Sequence, residues 1–319
     1  MSNPANNLSV VLILLIATLA PARAARASEL NLPPEAVEGM RLMYSGQPNR
    51  AIQDFRALQQ QRPEDPLGYL LEAEALWWKM YCASLDRKYN TIDVWSRPRA
   101  PGDDAYFVLT DKAARLADAA IARSDSAEME LYAGLAFGMR ARLTGLRGER
   151  FATARSGVEG RKRLLRCLEL DPNMTDADTG LGLYNYLVDT LSAPAKFLRF
   201  FMGIPGGSKT DGLRQLKTAA RSGELTSVEA RFYLARDLRN YDRDYFQALD
   251  VATQLKADYP ENPIFVLLAG DIEAKLGHNE AAAADFRAAA ALPAEDPACA
   301  ARVQTIAAQA IAALSAHAK

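Results

Sequence analysis

The chain has 319 residues, 49% hydrophobic and 24% charged, with a net charge of −1. That composition excludes a disordered or low-complexity polypeptide, and the near-neutral balance excludes a global field that gathers nucleic acid. His278 and His317 are the only imidazoles, and the sequence holds no HExxH, no GxSxG and no metal-spaced cysteine pair. A concentrated catalytic, cofactor or metal site is therefore not expected.

Residues 1–27 read as an export signal: an apolar run over 8–19, Pro21, then two small-x-small sites, Ala22-Arg23-Ala24 and Ala25-Arg26-Ala27. The run is about a dozen residues where a spanning helix needs roughly 20, so cleavage and a periplasmic or extracellular product are expected. No cysteine stands at the cleavage site, which argues against lipid modification. Cys82, Cys167 and Cys299 are widely spaced; they allow at most one bridge, and buried inert thiols are the expectation.

Helical hairpins follow. Residues 32–65 place Gly39, Gly46, Ala51, Phe55 and Pro63 at positions that return near the C-terminus. A hairpin from Glu229 carries Phe232, Ala235 and Leu238, then Ala248, Ala252 and Leu255, and stops at Pro260; 34 residues on, a hairpin from Pro263 carries Val266, Ala269 and Gly270, a Gly277 turn, and Ala282, Phe286 and Ala289. Small residues let paired helices approach, glycine accepts a positive φ at the turn, and proline stops the second helix. The period and the small-small-large spacing resemble the tetratricopeptide-repeat family, which implies an all-α, right-handed superhelical solenoid engaging a protein or peptide.

Between these copies, residues 127–174 and 175–228 read as degenerate repeats with insertions, and 110–123 as a lone second helix. No strand pattern is found. A last helix from about Pro297 to His317 is expected to cap the stack. The expected organisation is thus a signal over 1–27, a first repeat with an aromatic helical segment over 28–100, degenerate repeats over 101–228, two repeats over 229–296 and a cap over 297–319.

The stretch from Gly180 to Leu216 departs from the bare repeat: a Gly-spaced aromatic helix at 180–187, Lys196-Phe197-Leu198-Arg199-Phe200-Phe201, the Gly-rich 203–207, and Gly212-Leu213-Arg214-Gln215-Leu216. This order resembles the tetratricopeptide-39 family, which includes the yeast inclusion-body clearance protein, and implies a shared insertion geometry. Residues 203–210, GIPGGSKT, fall short of a nucleotide-binding P-loop because Ser208 replaces its last glycine and no strand precedes it. Lys196, Phe197, Arg199, Phe200 and Phe201 have two readings: a surface dipping into a membrane with its cations towards headgroups, or a plug whose rings pack across the repeat groove, the favoured one. Nine Arg or Lys against Glu149 and Glu159 over 140–166 form a basic stripe, read first as a solvated helix face.

The leading expectation is a non-catalytic scaffold of the cell envelope whose concave side is lined by first helices. Inward positions are Leu183 and Tyr186, then Tyr233, Asp237, Asn240 and Tyr241, which share one helical face, then Leu267 and Asp271. No Lys/Asn carboxylate clamp is visible in this frame. The alternatives are an envelope-surface protein using the aromatic-basic segment and, third, a hydrolase built on converging carboxylates.

Overall fold

The computed structural model describes residues 30–317; the export signal over 1–27 lies outside the described residues. Helical hairpins follow one another along the chain. The first pairs α1 (Pro34–Tyr44) with α2 (Pro48–Gln61); the long α3 (Leu67–Ser84) leads through a hairpin of β1 (Leu85–Lys88) and β2 (Thr91–Val94) into α4 (Asp103–Arg123). Then come α5 (Ala127–Leu146) with α6 (Arg150–Leu170), and α7 (Ala177–Asp189) with α9 (Lys209–Ser222), the short α8 (Ala193–Phe201) lying between. The two regular repeats are α10 (Ser227–Asp237), extended by a π-helical turn at Leu238–Asp242, with α11 (Tyr245–Asp258), and α12 (Pro263–Lys275) with α13 (Asn279–Ala291); α14 (Pro297–His317) ends the described chain.

Local chemistry sets these boundaries. Proline occupies the first turn of α1, α2 and α12, where its missing N–H costs nothing, and Asn262, Asp244 and Ser208 cap the helices after them through side-chain oxygens. In the first and last repeats a glycine of the first helix faces a phenylalanine of the second, Gly39 against Phe55 and Gly270 against Phe286. A Cβ added at Gly270 would stand 3.0 Å from the Phe286 ring. Two residues before the second helix of each regular repeat the backbone turns through the left-handed region, at Gly277 (φ 79°) and at the equivalent Arg243 (φ 55°), which takes that conformation without glycine's freedom. Apart from the β1–β2 hairpin the structure is thus a helical stack of tetratricopeptide-like hairpins, each burying its apolar face on the next.

Three features differ from the sequence expectation. The β-hairpin pairs Leu85 with Val94 and Lys88 with Thr91, in a segment too short and too charged to show an alternating pattern. Cys82 and Cys299 are joined as a disulfide that ties α3 to α14, where free thiols were expected; Cys167 is the free thiol, and burial pushes it up to about 12. The hairpins also close on one another. Asn262 donates to the Tyr44 carbonyl (2.8 Å), the Asn49 amide to Glu295 (2.7 Å) and the Leu30 amide to Glu224 (3.3 Å), so the first hairpin abuts the last repeats.

Helix α3 fills the interior that this closure creates. Its Trp78 ring lies 4.9 Å from Phe232 and 5.6 Å from Phe265, Tyr81 meets Phe232 edge-on at 5.4 Å, and Trp77 faces Tyr106 at 6.4 Å. Trp77, Trp78, Tyr81, Phe232 and Phe265 are all buried. Each such ring contributes roughly 1.5–3 kcal/mol by burial, so the inner face of the regular repeats is a core rather than an open surface.

Candidate functional site

The residues expected to line a groove are mostly inside. Tyr186, Tyr233, Asp237, Leu267 and Asp271 are buried, Leu183 and Asn240 half-buried, and Tyr241 alone exposed, with its ring edge-on to Tyr186 at 5.8 Å. The face of α10 and α12 that sequence spacing turns inward is covered by α3 and by β2 of the same chain.

Their polar atoms join a buried ionic network. Asp93 of β2 accepts from Tyr81 (3.0 Å), Arg236 (3.0 Å), Arg239 (3.2 Å) and Asn240 (2.5 Å), and Arg239 also donates to Asp271 (2.9 Å). Burial alone would raise the Asp93 carboxyl, but Arg236 and Arg239 hold it below the ordinary value. Arg236 and Arg239 are shared among three buried carboxylates, with Lys275 facing Asp271 as well. Burial pushes Asp237 up to about 7 against the pull of Arg236 and Arg239, and one of its oxygens has no hydrogen-bond partner. Asp271 is raised by burial as well, with Arg239 opposing.

A second cluster centres on one arginine. Arg142 donates to Glu74 (2.5 Å), Glu229 (2.5 Å) and the Tyr106 hydroxyl (3.1 Å), and its guanidinium stacks 4.3 Å from the Trp77 ring. Burial and the Glu74 charge push Glu229 up to about 8 despite the contact with Arg142, because one cation serves two desolvated carboxylates. The Tyr233 hydroxyl lies beside this cluster with no hydrogen-bond partner. These carboxylates converge, as the hydrolase alternative requires, but each faces arginines in a packed interior. Sequence reading missed Glu74 and counted Arg142 in the basic stripe, read first as a solvated face; the available signal was a pair of acids, Glu72 and Glu74, inside the otherwise apolar α3.

Among the described residues no group of three His, Cys, Asp or Glu side chains is placed to hold a metal, and no helix is long and apolar enough to cross a membrane. The 203–210 turn caps α9 through Ser208, while Lys209 gives its amide to Asp189 (2.9 Å) and its ammonium to Asp242. The basic stripe divides. Arg142 and Arg147 are interior, Arg147 forking onto Asp103 at 2.6 and 2.7 Å; Arg163 and Arg166 meet Asp118, Glu130, Glu159, Asp125 and Glu169. Arg150, Arg155 and Lys162 remain exposed on α6.

The aromatic segment is the other accessible feature. Phe197, Phe200 and Phe201 are 66%, 75% and 68% exposed, so they do not plug a groove, contrary to the favoured expectation. Lys196 turns back onto Asp189 (3.1 Å) and Arg199 onto the Ile204 carbonyl (2.8 Å). Beyond α8, Met202 and Ile204 form one wall of a cleft of about 560 Å³; Phe137 of α5 and Phe151, Arg155 and Val158 of α6 form the opposite one.

The class defined by this packing is the helical-repeat protein of stacked hairpins, here folded back on an internal helix and one short β-hairpin. No family profile and no curated relative matches the chain. A solved structure similar to it is that of yeast Tom70, 12% identical, covering 91% of this chain and 67% of that one with a TM-score of 0.30.

Proposed function

We propose that the protein is an exported, non-catalytic binding scaffold whose working surface is the face carrying α8 and the adjoining cleft, not the concave side of the repeats. One observation carries this reading: three phenylalanines cluster in solvent on α8, while the concave face is occupied by α3 of the same chain. Contiguous exposed rings mark interaction sites because isolated proteins gain by covering them. The absence of catalysis is supported by the engagement of the interior carboxylates with arginines. Export is supported by the apolar segment before residue 27 and by the Cys82–Cys299 bridge, since disulfides persist in oxidising compartments.

In-cell photocrosslinking tests this reading. A photoreactive side chain placed at Phe200 should yield covalent adducts and one at Tyr233 should not; adducts at Tyr233 with none at Phe200 would restore the concave groove as the working surface.

A further inference from the structure

We propose that α8 and the neighbouring face of α6 dock the protein on an anionic lipid bilayer, an inference that deepens the binding-surface reading above and rests on it. Phe197, Phe200 and Phe201 fall at i, i+3 and i+4 of one helix, with ring centroids 4.6 and 5.8 Å apart, so they form one apolar wedge and not three scattered residues. Lys196 pairs with Asp189 at the end of α7, and Arg199 donates to the Ile204 carbonyl of the turn that follows α8, so both cations are engaged beside the wedge.

Shape argues for a bilayer over a protein groove-filler. A partner helix needs a concave apolar strip several turns long, whereas α8 has nine residues and its rings project outward. Short aromatic-rich helices of this kind seat their rings at the boundary between headgroups and acyl chains. The cleft beside the wedge offers a second apolar recess, with Met202, Phe137 and Val158 inside it.

Charge complementarity selects the lipid. Residues 150–166 hold six Arg or Lys against Glu159 alone. Arg163 and Arg166 are spent on acids of α4, of α5, of the turn between them and of their own helix, and Arg161 lies over the Tyr184 ring at 5.5 Å. Arg150, Arg155 and Lys162 are exposed, and Arg155 stands on the wall of the cleft that Met202 closes. Basic residues beside an interfacial apolar wedge raise affinity for anionic headgroups. The cations that serve headgroups are therefore those of α6, since Lys196 and Arg199 are engaged by Asp189 and by the Ile204 carbonyl.

Flotation of the chain from residue 28 onward tests the proposal with vesicles of phosphatidylcholine alone and of phosphatidylcholine with phosphatidylglycerol. The protein is expected to float with the anionic vesicles only and to be released at high salt. Substituting Phe197→Ser, Phe200→Ser and Phe201→Ser together should lower partitioning roughly tenfold, with circular dichroism and melting unchanged because the rings are exposed. Substituting Arg150→Glu, Arg155→Glu and Lys162→Glu should abolish the preference for anionic vesicles. No flotation with anionic vesicles, or equal flotation of the triple-serine variant, overturns the inference. A protein adduct at Phe200 without vesicle binding overturns the lipid and leaves the surface; loss of both overturns the two readings together.

Discussion

Replacing Cys82 with serine removes the covalent tie between α3 and α14, and its effect follows from where the bridge lies in the chain. The bridged residues are 217 apart in sequence, and for a loop of that length the chain-entropy relation gives a stabilisation of about 5 kcal/mol, acting mainly by restricting the unfolded ensemble. For a domain of this size each kcal/mol moves the midpoint by about 2 °C, so the variant should melt roughly 10 °C lower. Its folded structure should persist at room temperature, because Val303, Ile306, Ala307 and Ala310 of α14 stay buried without the bridge. Thermal melts of the oxidised protein, of the Cys82→Ser and Cys299→Ser variants, and of the protein with reductant supply the measurement, the last three being expected to coincide. Thiol titration in denaturant without reductant should find one reactive group, Cys167. Three reactive thiols, or melts differing by less than about 2 °C, would refute the reasoning.

Two further outcomes follow from the buried network. Asp237 has a folded-state value raised from 3.8 to about 7, so its contribution to stability is complete below pH 3.8 and is lost as pH rises through 7. The Asp237→Asn variant should therefore lose less stability than the parent between pH 6 and 8.5, by ~1 kcal/mol or more, in denaturant titrations at the two pH values; parallel losses would show that Asp237 is already ionised. Tyr233→Ala should cost ~3 kcal/mol because the ring is buried against Phe232 at 5.4 Å, whereas Tyr241→Ala, on a half-exposed ring, should cost less than ~1 kcal/mol. Equal effects on melting would place both tyrosines in one environment, against the structure.

The repeats were legible because their signals are local. A glycine facing a phenylalanine sixteen positions on, a turn residue two places before a helix, and prolines at helix starts all act within one hairpin, so the residue pattern at Gly39/Phe55 and Gly270/Phe286 is visible without knowing the fold. The fate of the inner face was not legible. Tyr233, Asp237 and Asn240 do share one helical face, but what covers that face, α3 and β2, comes from more than 130 positions earlier in the chain. Spacing says which residues are neighbours on a helix and nothing about the element packed on them. The same limit hid the cysteine bridge and the division of the basic stripe, because the acids that take Arg142 and Arg147 lie about 40 to 90 residues away.

Closure also changes how the repeats hold together. In an open array each hairpin contacts only its neighbours, and stability is close to a sum of nearest-neighbour terms. Here α3 meets Phe232 and Phe265 of the regular repeats, Asp93 binds Arg236 and Arg239, and Glu74 shares Arg142 with Glu229, so elements far apart in sequence are lost together. Those contacts bury charged groups at a desolvation cost, which they recover only when the whole set is assembled. A concave face closed in this way is unsuited to admitting an extended peptide, since opening it would expose Trp77 and Trp78 and strand the arginines without partners. The three rings of α8 lie outside this closed core, so replacing them leaves its contacts intact.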